Sequence, residues 1–116
     1  MGILDWFLGR GAPRITPQEA HTLLTEDGDT YLLLDVRQPS EYSAGVAQGA
    51  VQIPLTQLGS RLDELPRERQ ILTICASGHR SPLAARRLAR AGFQVKDVQG
   101  GTQAWRAAGL ALEKES

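Results

Sequence analysis

One stretch of the chain, Cys75-Ala76-Ser77-Gly78-His79-Arg80-Ser81, gathers the residue types of nucleophilic chemistry. It follows a continuous apolar run, Ile71 to Ile74, and precedes a strongly helical one, so it reads as a strand-to-helix loop. Open parallel α/β sheets bind ligands beyond the C-terminal ends of their strands, which is where Cys75 stands. Small residues at 76, 77 and 78 let the loop curl until successive backbone N–H groups point inward. A nest of this kind, continued by a helix N-terminus, attracts anions. It therefore favours thiolate over thiol, and the thiolate is the nucleophile. Arg80 adds a fixed positive charge at the end of the loop. A lone cysteine at a strand end is otherwise a common and inert packing residue. What sets Cys75 apart is the combination of small residues, Arg80 and an immediate helix.

Cys75 is the only cysteine in the chain, so no intrachain disulfide forms. A four-ligand zinc site would need both histidines and a carboxylate beside it. A single thiol and no recognisable export signal lead to the expectation of a reducing cytoplasm.

The elements that must position this loop alternate between helix and strand. Thr16-Pro17-Gln18-Glu19 has a capping residue, Pro at the first helical position and Glu at the third, which predicts a helix start. That helix runs to about Glu26 and stops at Asp27-Gly28-Asp29. Tyr31 to Val36 reads as a strand buried on both faces. Pro39 to Ala44 is a short helical turn closed by Gly45, and Ala50 to Ile53 a very short strand. Leu55, Leu58, Leu62 and Leu65 have helical spacing and predict a helix over 55–65. Ile71 to Ile74 is a buried strand and Ser81 to Arg90 a helix. On that helix Leu83, Ala84, Ala85, Leu88 and Ala89 face one way, and Arg86, Arg87 and Arg90 another. A strand over Phe93 to Val98 and a helix from Thr102 to Ala108 follow, separated by Gly100-Gly101. This alternation implies a parallel sheet with helices on both faces.

The chain's 116 residues make one domain, with a core large enough to need no staples. Hydrophobic residues at 41% and charged residues at 22% fit neither disorder nor a membrane protein. Thirteen basic residues balance thirteen acidic ones, which removes a general pull toward nucleic acid or anionic lipid. Residues 1–13 form an apolar N-terminal segment ahead of the domain at 14–116. Within it, Ile3 with Phe7 and Leu4 with Leu8 have the spacing of one face of a short helix. The segment is too short to span a bilayer and carries no basic n-region or cleavage site. Nothing in the sequence sets an oligomeric state.

Four motifs in order resemble those of the single-domain rhodaneses. Leu33-Leu34-Asp35-Val36-Arg37 with Pro39-Ser40-Glu41-Tyr42 is similar to the family's LLDVR-x-PxEF/Y signature. Gly49 to Leu55 resembles GAxNIPL, Cys75 to Ser81 resembles CxSGxRS, and Gly100-Gly101 with Trp105, Gly109 and Leu110 resembles GGxxAWxxAGL. The resemblance implies a three-layer α/β sandwich around a mostly parallel sheet of about five strands. It also implies a sulfurtransferase in which Cys75 cycles between thiolate and persulfide, with no metal or organic cofactor. A small donor such as thiosulfate delivers the sulfur, and a thiol or cyanide takes it. The backbone amides of Ala76, Ser77, Gly78, His79 and Arg80 hold the charge. With no second cysteine, the acceptor must come from outside the chain, whether a small molecule or a sulfur-relay protein.

Supporting roles follow from the same resemblance. Arg37 is expected to pair with Glu41, and Asp35 to brace the neighbouring loops, or both to form a structural ion pair. Ser77 either donates to the terminal sulfur or stabilises its own turn. His79 either attracts an anion when protonated or is solvated. The stretch Ala44 to Ala50 departs from the family's AGHIPGA by lacking its histidine. Cell-cycle phosphatases share the fold, but their loop is one residue longer and fits a tetrahedral phosphate. Here four residues, 76 to 79, separate Cys75 from Arg80, and the smaller ring suits sulfur. A persulfide carrier or interaction module that does not turn over alone is the other class the sequence allows.

Overall fold

The computed structural model describes residues 12–114. In chain order these form β1 (Arg14–Ile15), α1 (Pro17–Glu26), β2 (Tyr31–Asp35), a 3-10 turn (Pro39–Ala44), β3 (Val46–Ala47), β4 (Val51–Gln52) and α2 (Leu55–Leu58). A second 3-10 turn (Leu62–Glu64), β5 (Gln70–Ile74), α3 (Ser81–Arg90), β6 (Val95–Val98), α4 (Gly101–Ala107) and β7 (Leu112–Glu113) follow. Five strands make one parallel sheet in the order β1-β6-β5-β2-β4, and β3 pairs antiparallel with β7 beside it.

The pleat of the central strands explains the three layers. Successive side chains of a strand point to opposite faces. Leu32 and Leu34 of β2 join Ile71, Val95 and Cys75 in one core, covered by Leu58 of α2 and by Ala84, Ala85 and Leu88 of α3. Leu33, Leu72, Ile74 and Val98 fill the opposite face, against Ala20 of α1 and Trp105 of α4. Both faces are therefore apolar, as the unbroken hydrophobic runs in β2 and β5 require. The Thr16 capping box forms as expected, with the hydroxyl accepting from the Glu19 amide at 3.1 Å and Glu19 accepting from the Thr16 amide at 2.8 Å.

Three expectations need correction. The helix expected over 55–65 is broken into α2 and a 3-10 turn, with Gly59-Ser60-Arg61 between them. The Ser60 hydroxyl donates to the Gln57 carbonyl, which ends the α-helix early. The leucine spacing survives because both pieces lay their leucines on the same core. Leu83, expected on the buried face of α3, is 51% exposed. The strands β1, β3 and β7, each two residues long, had no counterpart in the sequence reading. The pairing expected of Ile3 with Phe7 and Leu4 with Leu8 lies outside the described residues. Among those described, no helix is long and apolar enough to cross a membrane.

Candidate active site

Cys75 lies one residue beyond β5, at the C-terminal edge of the sheet, and is fully buried. Its neighbours are fixed from both sides of the loop. The carbonyl of Cys75 accepts from the Thr102 amide at 2.7 Å, and that of Ala76 from the Gln103 amide at 3.0 Å. These are the free amides of the first turn of α4, so the loop's carbonyls turn outward and its N–H groups turn in. The approach is close enough that only glycine fits at position 101. A Cβ there would collide with the Cys75 carbonyl oxygen, and its φ of 64° is left-handed. Gly78, at φ 91°, is likewise pressed on Gly100, whose amide nitrogen would sit 2.9 Å from an added Cβ.

The sulfur sits at the focus of this curl. Sγ accepts from the Gly78 amide at 3.2 Å and from the Ser81 amide at 3.3 Å, with the Arg80 amide also directed at it. The Ser81 hydroxyl lies 3.4 Å from Sγ. Burial pushes the thiol up, and the Ser81 hydroxyl with the amides of Ser81, Arg80 and Gly78 more than reverses this, holding Cys75 below its ordinary value. Hydrogen bonds to the charged form are what make a buried thiol reactive rather than inert.

Arg80 does not face the loop interior as a free charge. Its guanidinium grips Glu41 with two hydrogen bonds, 2.6 and 2.8 Å. Held by Arg80, the Glu41 carboxyl falls from 4.5 to about 2. This corrects the expected pairing of Glu41 with Arg37. Arg37 instead wraps Asp35, two residues before it, with its Nε 3.0 Å from both carboxylate oxygens and Nη2 2.8 Å from Oδ2. That pair is buried. The remaining Arg37 donors reach backbone: Nη1 donates to the Glu41 carbonyl at 3.2 Å and Nη2 to the Gly45 carbonyl at 2.8 Å. The two arginines thus act in series. Asp35 and Arg37 pin the 3-10 turn to the end of β2, and Glu41 on that turn pins Arg80.

Ser77 and His79 pair with each other, the hydroxyl 2.7 Å from Nδ1, at the exposed rim of the loop. Ser81, Asp97, Thr73 and Arg14 were not singled out in the sequence as site residues. The signal was a charge inside an apolar strand: Asp97 in Val95–Val98 is 1% exposed. A cavity of about 280 Å³ opens beside Ala76, lined among others by Ser40, Ser43, Thr102, Gln103 and Arg106.

A buried strand-end cysteine, ringed by inward amides and beside the Ser81 hydroxyl, defines an α/β domain that favours an anionic sulfur. The family model for the rhodanese-like domain matches residues 16–108, and the chain belongs to that family of sulfurtransferase and sulfur-carrier domains. It is 34% identical to a sulfurtransferase of Allochromatium vinosum over 74% of this chain and 81% of that protein. It is 33% identical to the thiosulfate sulfurtransferase GlpE of Actinobacillus pleuropneumoniae over 85% and 91%. It is also 35% identical to the HTH-type transcriptional regulator Rv0324 of Mycobacterium tuberculosis over 90% of this chain, which corresponds to 47% of the regulator's length. Among solved structures, a rhodanese-related protein of Thermoplasma volcanium superposes with a TM-score of 0.79 at 32% identity, covering 89% of this chain and 99% of that one.

Proposed function

We propose that this protein is a sulfurtransferase that moves a sulfane sulfur from thiosulfate to a thiol or cyanide through a persulfide on Cys75. In the first step the Cys75 thiolate attacks the outer sulfur of thiosulfate. A new S–S bond forms at Sγ, the S–S bond within the donor breaks, and its electron pair leaves with sulfite. In the second step the acceptor attacks the outer sulfur of the persulfide. Cyanide leaves as thiocyanate, a thiol leaves as its own persulfide, and Cys75 returns to thiolate. Charge is conserved in both steps.

The observation that carries this reading is the ring of amides from Gly78, Arg80 and Ser81 focused on Sγ. Each is aimed at a negatively charged sulfur, and each is already in place before charge arrives. Ser77, His79 and Ala76 shape the mouth of the ring. Asp35, Arg37 and Glu41 act at one remove, by holding Arg80 at its end. The acceptor enters through the cavity beside Ala76, where hydroxyls and the Arg106 guanidinium offer polar contacts. The likeness to GlpE supports thiosulfate as the donor.

The test is intact mass after brief incubation with thiosulfate, comparing the natural chain with Cys75→Ser. The expected result is one added sulfur atom in the natural chain only, removed by cyanide. Absence of the adduct while Cys75 still alkylates would overturn thiosulfate as donor. The single cysteine also fits a carrier, which would load once and release sulfur only to its partner. Steady-state thiocyanate production separates the two.

A further inference from the structure

The pleat places three chemically active side chains together on one face of the sheet. In β5 and its continuation, Ile71, Thr73 and Cys75 alternate onto the face covered by α3. In β6, Val95 and Asp97 do the same. Thr73 and Asp97 are register partners across the two strands. Ser81, the first residue of α3, caps the same corner. Ser81, Thr73 and Asp97 are all buried. Asp97 accepts from the Thr73 hydroxyl at 2.9 Å, from the Ser81 hydroxyl, and from Arg14 Nε on β1 at 3.2 Å. The Ser81 oxygen is also the group 3.4 Å from Sγ.

A serine hydroxyl has one proton. Asp97 as a carboxylate and Cys75 as a thiolate both need it. With Cys75 as the thiol, S–H donates to the Ser81 oxygen and the Ser81 proton goes to Asp97. With Cys75 as the thiolate, the Ser81 proton must turn to sulfur, and the carboxylate loses a donor or takes up a proton itself. Going from thiol to thiolate with proton uptake is balanced: the proton leaves Sγ for Ser81 Oγ while the hydroxyl proton passes to the Asp97 carboxylate.

We propose that Asp97 is a positioning residue which, by competing with Cys75 for the single hydroxyl proton of Ser81, sets how readily the cysteine becomes the nucleophile. The inference rests on the reading of Cys75 as the sulfur-carrying nucleophile. The charged groups facing this corner are consistent with it. Arg14 from β1 reaches Asp97, and Arg80 acts on Cys75 from the start of α3. Glu41 and Asp35 act on Arg80 from the 3-10 turn and β2. Lys96, next to Asp97 in sequence, lies instead near the Tyr31 ring. Burial pushes the Asp97 carboxyl up from its ordinary value, against the hydrogen bonds of Ser81 and Thr73 and the charge of Arg14, which moves it toward taking up a proton.

The test reads the thiol alone and needs no sulfur donor. The rate of iodoacetamide alkylation is followed against pH in the natural chain, Asp97→Asn, Ser81→Ala and the double variant. Asp97→Asn is expected to alkylate about threefold to tenfold faster at neutral pH, the equivalent of half to one pKa unit. The gain is expected to fade as the pH drops below the titration of Asp97. In the Ser81→Ala background the same change should give less than about a twofold gain, because only the through-space charge remains. An equal gain in both backgrounds, or none, overturns the proposal. Should Asp97→Asn fail to fold, the natural chain supplies the second measurement. Its Asp97 carboxyl carbon, followed by NMR, should report a second step where Cys75 ionises, and a single step overturns the coupling. Failure of sulfur loading with this coupling intact would refute the proposed function and leave the proton competition standing.

Discussion

Replacing Glu41 with glutamine tests the series of contacts behind the loop. The carboxylate holds Arg80 through hydrogen bonds of 2.6 and 2.8 Å, and Arg80 holds the carboxyl down from 4.5 to about 2. A shift of that size corresponds to about 3 kcal/mol between protonation states. The two side chains are 36% and 29% exposed, so water screens the pair and about 1–2 kcal/mol remains as stability. The sign follows from the lowered carboxyl. Its contribution is complete above the unfolded value near 4.5 and is lost as the pH falls toward 2. Urea unfolding of Glu41→Gln at pH 7 should therefore give a stability about 1–2 kcal/mol below that of the natural chain. The gap should shrink by about half or more at pH 3, where the natural carboxylate has begun to lose its own advantage. The variant's slope against denaturant should be unchanged, since the core is not touched. Equal stabilities at pH 7, or a gap that does not narrow in acid, would refute the argument that this ion pair fastens the loop.

Gly101→Ala should cost more than about 2 kcal/mol in urea unfolding, because the added Cβ meets the Cys75 carbonyl and the left-handed backbone strains any other residue. The two leucines of α3 should behave oppositely. Leu88→Ala, fully buried, should lose about 2–5 kcal/mol, whereas Leu83→Ala, half-exposed, should lose no more than about 0.5 kcal/mol, both read from denaturant midpoints.

Local signals in the chain reveal most of the fold, and they do so where a pattern repeats. The capping box at Thr16 and the helix Ser81–Arg90 are found at their observed boundaries, because each depends on residues within one or two turns. The three-layer sheet follows from two apolar runs flanked by helices. Two-residue strands leave no period to detect, so β1, β3 and β7 were invisible, and the equally short β4 was found only as the apolar stretch Ala50 to Ile53 around it. Leu83 stands four and seven residues before the exposed Arg87 and Arg90, so the helical period puts it on their face and away from Ala84, Ala85 and Leu88, and the expected grouping misplaced it. At the site, the glycines and small residues of the loop announced where Cys75 would stand. Which carboxylate meets which arginine was not legible. Arg37 is four residues from Glu41 in sequence, yet the buried Asp35 is the nearer partner, and Arg80 comes from 39 residues away. Asp97 and Ser81 meet only because β5 and β6 lie side by side, a fact of strand order rather than of spacing.

The bonds from the first turn of α4 to the carbonyls of Cys75 and Ala76 have a consequence in time. A peptide of the loop cannot rotate without breaking that turn away, and Trp105 on the same helix is anchored in the core. Water solvating a charged sulfur must reorient its dipoles each time that charge forms. The amides around Sγ are oriented once, when the chain folds, and would stay so through each turn of the proposed transfer.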